Sequence, residues 1–302
     1  MADLDRRMII ELMNHKPNLF IAGFPKCGTT SIYNYLKEHP QIYGPELKEP
    51  RFLVHEELHL ENSHRIFREM TVTDEADYYA MYKDGASHRY RMDGTPFYIK
   101  HPKAAHKIKE ISDDSRVIIS IRNPVDRFIS AYKMIWNKGY VQTSLREYID
   151  GRHKKQRDSM PSGIYYEYIA HMQSVMGNDR VLVIMLDELR DDINGTLGKI
   201  YDFLGIENII PLNAGKSYYS NKNRLKPGLA RNILTSKFAK FMYLKLPPKL
   251  RNKLKKAVKI ESLYMEDEIS DDIRQELLDY YMEDITKTEE LTGYDLSEWK
   301  RI

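Results

Sequence analysis

The sequence predicts an α/β fold in three layers, a central and mainly parallel sheet flanked by helices. Short apolar runs alternate with amphipathic segments, and each run ends in a turn rich in glycine or charge. The 302 residues are also enough to bury a substantial core. Residues 18–22 (NLFIA) form the first expected strand. A helix over 29–38 follows, with Ile32, Tyr33 and Leu36 spaced to face the core. HPQIYGPELKEPRFL then reads as proline-interrupted turn. Residues 117–121 (VIISI) are the second strand, closing on Arg122-Asn123-Pro124 ahead of a helix over 125–137. Residues 181–186 (VLVIML) are the third, with a helix over 189–204 that closes at Gly205. The loops therefore gather at the carboxyl ends of strands, where open α/β sheets bind ligands.

Composition narrows the function classes. The chain carries 47 basic and 44 acidic residues, a net charge of +3, and this near balance does not suggest nucleic-acid binding. The single cysteine, Cys27, excludes an intramolecular disulfide and suits a reducing, cytoplasmic setting. No apolar run approaches the roughly 18 residues that span a bilayer, and the opening MADLDRRMIIELMNHKP is too acidic and too briefly apolar for a signal peptide. The expectation is one soluble domain over 1–302, with residues 1–16 as an N-terminal extension.

Chemistry concentrates first in NLFIAGFPKCGTTS. Gly23 and Gly28 let the backbone turn beside an anion without a Cβ in the way. Beyond them, the free N–H groups of a helix start and the hydroxyls of Thr29, Thr30 and Ser31 converge on one negative group. Gly23-x4-Gly28 is half of the nucleotide P-loop, so the fold is P-loop-like. Thr29, however, stands where the phosphate-gripping lysine belongs, and Lys26 sits inside the loop instead, between Pro25 and Cys27. The ligand therefore need not be a triphosphate. Cys27 reads as a small loop residue, although its place in an anion loop predicts a lowered thiol pKa. A second constellation is Arg122 with Ser130 in IRNPVDRFISAY. The arginine lies just past a strand and the serine two helical turns on, and a guanidinium fork suits phosphate.

In this order, PKCGTTS and then RNP with Arg127 and Ser130, the chain resembles the sulfotransferases that use 3′-phosphoadenosine 5′-phosphosulfate (PAPS). The likeness continues through KEPRFL, DGTPFYI, SGIYYEYI, VLVIMLDEL, SNKNRLK and LTGYDLSEW, and is strongest to bacterial and glycan-type members such as the heparan sulfate enzymes. The resemblance implies that Pro25, Lys26, Cys27, Gly28, Thr29, Thr30 and Ser31 bind the 5′-phosphosulfate. Arg122 and Ser130 then bind the 3′-phosphate, and Asn221 and Arg224, in a basic loop within 208–260, cover the nucleotide. It makes Glu49 the general base, with His101 as rival and His55 a further neighbour. Asp93 stands where such relatives often carry glutamate. Adenosine 3′,5′-bisphosphate is the expected product, no metal is invoked, and the expected acceptor is a glycan or glycolipid.

Two other classes have their own signals. Asp187 and Glu188 follow an apolar strand as in an ATPase, which raises a P-loop kinase using Mg²⁺ and a nucleoside triphosphate; as helix caps they fit the first reading. Between Asn208 and Ile260 there is no acid but fourteen lysines and arginines, which raises a non-enzymatic module binding anionic glycans or making peripheral membrane contact.

Overall fold

The computed structural model describes residues 15–60, 71–137, 143–150, 160–213 and 269–302. Among them, five strands form one sheet: β1 (Leu19–Gly23), β2 (Ile42–Tyr43), β3 (Tyr90–Asp93), β4 (Arg116–Ile121) and β5 (Val181–Met185). Their order is β2-β3-β1-β4-β5, and every pairing is parallel. The helices are α1 (Thr29–Lys37), α2 (His55–Leu60), α3 (Glu75–Ala80), α4 (Pro102–Ile111), α5 (Pro124–Asn137), α6 (Leu145–Ile149), α7 (Tyr166–Met176), α8 (Leu186–Asp191), α9 (Ile193–Leu204) and α10 (Asp271–Thr292).

The strands read as unbroken apolar runs because both faces of the sheet are covered. Along β1, Leu19 and Ile21 point to one side, where Ile32 and Leu36 of α1 meet Leu197, Ile200 and Leu204 of α9. Phe20 and Ala22 point to the other, where α4, α5, α7 and α10 contribute Ile108, Phe128, Ile169 and Tyr281. The expected three layers are thus present. The chain places β2 and β3 on one flank of β1, then β4 and β5 on the other. The carboxyl ends of β3, β1 and β4 therefore lie side by side at the point where the winding reverses.

Two local expectations change, and two elements, β3 and α10, had no counterpart in the sequence reading. The stretch read as turn contains β2, whose Ile42 and Tyr43 pair with Tyr90 and Arg91; two residues are too few to show a period. β3 escaped for a similar reason, since YRMD carries only one aliphatic side chain. The helix expected over 189–204 is two: α8 starts at Leu186, and Asp192, with φ −139° and ψ 86°, breaks the line and caps α9 by accepting the Gly195 N–H. Finally, α10 has its buried residues, among them Leu277, Leu278, Tyr281 and Ile285, set in an otherwise acidic sequence that hides its amphipathic face. Gly205 closes α9 in the left-handed region at φ 61°, as expected. No described helix is long and apolar enough to cross a membrane.

Candidate functional site

The loop after β1 is held from β4 at two points. The Phe24 N–H donates to the Ser120 carbonyl at 2.8 Å, and Ser120 Oγ donates to the Cys27 carbonyl at 2.5 Å. Lys26 and Gly28 both take positive φ, 76° and 81°. Glycine is required at 28, where a Cβ would stand 2.4 Å from Leu186 Cδ1. Gly28 is also the N-cap of α1 and supplies no side-chain cap. Its carbonyl accepts the Ser31 and Ile32 N–H groups at 2.9 and 3.2 Å. The preceding amides of Thr29 and Thr30 have no helical carbonyl to reach, so the helix start offers backbone donors that could receive an anion. Cys27 is fully buried, and burial pushes its thiol up to about 11, against the pull of Arg127 and Tyr165. The expected lowering is overturned: desolvation outweighs the nearby cations, and Cys27 acts as packing.

The second arm is made of side chains. Arg122 follows β4, and its Nη2 lies 3.4 Å from Asp126 Oδ2. Its Nε is buried and finds no hydrogen-bond partner among the described residues, which is costly unless an oxyanion arrives. Asn123 Oδ1 accepts the Val125 and Asp126 N–H groups at 3.0 and 3.3 Å, fixing the start of α5 beside Arg122. Asp126, Ser130 and Met134 recur every fourth residue of α5 and share one face. Arg122 meets the first of them, and Lys26 Nζ lies 3.7 Å from Sδ of the last. Ser130 stands between, so α5 joins the two anticipated phosphate groups along a single surface. Tyr165 spaces the arms, donating its hydroxyl to the Arg122 carbonyl at 2.7 Å while that oxygen lies 3.8 Å from Cys27 Sγ. Asp284 of α10 accepts the Tyr165 and Tyr166 N–H groups at 2.7 and 3.0 Å, and so locks this spacer.

The acidic loop reaches the same place. Glu49 Oε1 is 3.2 Å from Lys48 Nζ, and Glu49 Oε2 accepts from Arg51 Nη2 at 2.7 Å. Lys48 Nζ also donates to Thr29 Oγ1 at 3.2 Å, which ties the loop to the start of α1. Burial lowers the Lys48 pKa below the usual lysine value. Behind this loop, Asp93 is fully buried at the end of β3 and accepts from Tyr78 and Tyr98 hydroxyls, each at 2.8 Å, and from the Thr95 N–H at 2.9 Å. Desolvation raises it to about 6 in spite of those bonds. Thr95 Oγ1 in turn accepts the Arg51 N–H at 3.2 Å, so Asp93 supports the loop from below.

His101 occupies the N-cap position of α4, two residues after Ile99, whose side chain fills the space over Gly23. His55 is engaged within its own turn, with Nδ1 2.5 Å from the Phe52 carbonyl and its ring stacked on Phe52 at 5.3 Å. Asp187 and Glu188 lie in the first turn of α8 without capping it. They pair instead with Arg190 and Lys199, and Glu188 also accepts from the Tyr294 hydroxyl at 3.3 Å. Asn221, Arg224 and the basic run they belong to lie outside the described residues. Sequence reasoning missed Tyr165 as part of the site; Lys48 and Arg51, flanking Glu49 in KEPR, were legible as its salt-bridge partners, as the structure has them, but not as parts of the site.

The model of the sulfotransferase family matches residues 17–209. The chain is 25% identical over 220 residues to human heparan sulfate glucosamine 3-O-sulfotransferase 3B1, covering 71% of this chain and 52% of that protein. It is 22% identical over 251 residues to human carbohydrate sulfotransferase 15, covering 63% of this chain and 44% of the relative. The chain thus spans about half the length of the curated relatives it matches. In fold, it is similar to the crystal structure of a sulfotransferase from Alicyclobacillus acidocaldarius, with a TM-score of 0.69 and 24% identity over 95% of this chain and 99% of that one.

Proposed function

Since the chain belongs to the sulfotransferase family, we propose that it moves a sulfuryl group from PAPS to a hydroxyl or amine of a carbohydrate or glycolipid, releasing adenosine 3′,5′-bisphosphate. The observation that carries this reading is the pair of anion seats at neighbouring strand ends, the α1 start after β1 and Arg122 after β4, facing a common α5 surface. Two separated seats suit a nucleotide bearing phosphate on both the 5′ and 3′ positions. The heparan sulfate and carbohydrate acceptors in the names of the relatives support a glycan acceptor.

The residues present fit the donor. The amides of Thr29 and Thr30, with Lys26, hold its 5′ end, and Arg122 with Ser130 holds the 3′-phosphate. Bound there, the donor supplies an activated sulfuryl group on a leaving phosphate. Glu49 takes the acceptor proton as the new oxygen–sulfur or nitrogen–sulfur bond forms. Lys26 and the helix-start amides steady the electron pair left on the 5′-phosphate oxygen as its bond to sulfur breaks. A triphosphate enzyme is not favoured, since the acids after β5 are tied to Arg190, Lys199 and Tyr294.

A thermal-shift comparison tests the reading. Adenosine 3′,5′-bisphosphate should raise the melting temperature and ATP with Mg²⁺ should not; the reverse order sinks the proposal. Labelled-sulfate transfer to a panel of glucosamine-containing glycans then tests the acceptor. In that assay Glu49→Gln should retain nucleotide binding and lose about 10²- to 10⁴-fold in turnover. Full activity in that variant moves the base assignment to His101.

A further inference from the structure

We propose that Lys48 is a second catalytic lysine, one that contacts the sulfuryl group in transit between the α1 start and the acceptor. The inference rests on the function proposed above. It starts from the position of the ammonium, which bonds Thr29 Oγ1 on the donor side and Glu49 Oε1 on the acceptor side, each at 3.2 Å. Any group passing from the helix start to an oxygen deprotonated by Glu49 crosses the gap this ammonium spans.

The fold makes room for that side chain. A Cβ on Gly94 would lie 2.6 Å from Tyr33 Cδ2, 2.9 Å from Lys48 Cγ and 3.0 Å from Cε, and the Gly94 N–H donates to the Lys48 carbonyl at 3.0 Å. Gly94 follows β3 directly, so the strand end next to the phosphate loop is left bare where the lysine lies along it. Only 15% of the Lys48 side chain is exposed, and such burial of a cation strengthens its action on nearby charge. The groups facing it are Glu49 and Arg51 of its own loop, Asp93 at the end of β3, and Thr29 of α1, with the Tyr33 ring against Gly94. One carboxylate, Glu49, bonds it directly, and that carboxylate also has Arg51, so Lys48 can turn to the sulfuryl oxygens without stranding the base.

The test uses the full chain with Lys48→Met, Lys48→Arg and Gly94→Ala, reading labelled-sulfate transfer and, separately, adenosine 3′,5′-bisphosphate binding by calorimetry. Because that product lacks the sulfuryl group, Lys48→Met should bind it within about threefold of the parent while kcat falls about 10²- to 10³-fold. Lys48→Arg should restore part of kcat and remove the alkaline decline of the parent's pH profile, since guanidinium keeps its charge. Gly94→Ala, which crowds both the Tyr33 ring and the lysine without altering its charge, should lower kcat and spare product binding; paired with Tyr33→Phe as a control for the ring, it serves where Lys48→Met fails to fold. An unchanged kcat in Lys48→Met overturns the inference, as does a loss of product affinity beyond tenfold. A parent that binds the product yet sulfates no glycan sinks the function itself, an outcome distinct from an active parent indifferent to Lys48.

Discussion

The two proposed anion seats are built from opposite materials. At the end of β1 the seat is backbone: amides at the start of α1, shaped by Gly28 at φ 81°, with Lys26 in the loop before them. At the end of β4 it is side chain: the Arg122 guanidinium, with its buried Nε and the Asp126 carboxylate beside it, and Ser130 one turn beyond that carboxylate. Backbone amides are fixed by the fold and cannot be removed one by one. Their contribution persists through most substitutions, whereas the second seat depends on two side chains. The first is therefore suited to steadying charge that appears during reaction, and the second to holding charge already present in the ground state.

Substitutions can break this contrast. The largest effect is expected from Lys26→Ala, which should cost about 10³-fold in kcat while the remaining amides keep product affinity within about tenfold, as read by transfer kinetics beside calorimetry. Arg122→Ala should show the opposite pattern, weakening adenosine 3′,5′-bisphosphate binding by about 1.5–3 kcal/mol with little change in kcat at saturating donor. Undiminished affinity in that variant removes Arg122 from the 3′-phosphate. Ser130→Ala, which removes a neutral hydroxyl, should cost about 0.5–1.5 kcal/mol in the same titration; a loss equal to that of Arg122→Ala would mean the serine, not the guanidinium, anchors the seat.

The strand end at β3 sharpens the comparison, because its acid is structural. Asp93 is raised from 3.8 to about 6 by burial, so the folded state favours the protonated form. Its contribution to stability is full below 3.8 and falls away as the pH climbs to about 6. Urea unfolding at pH 4 and pH 7 should show the parent losing stability relative to Asp93→Asn over that interval; a constant difference between the two would show that Asp93 does not titrate in the fold.

Much of this was legible in the chain itself. Long apolar runs such as VIISI announce buried parallel strands, because covering both faces leaves no room for polar alternation. The spacing of Gly23, Lys26 and Gly28, the RNP turn and Ser130 pointed to both proposed seats, since backbone freedom and fixed charge are properties of residue types. β2 and β3 were not legible, because pairing to a neighbour, not local pattern, makes strands of IY and YRMD. Nor was the Cys27 thiol, whose elevation comes from complete burial in the folded core, against the pull of Arg127 and Tyr165. Sequence alone thus determined which groups could bind anions and in what order they occur. Tertiary structure alone decided that Lys48 touches Thr29, that Asp284 locks the Tyr165 spacer, and that three strand ends meet in one place. Those are distances between residues far apart in the chain, set by how the sheet winds and what packs on it.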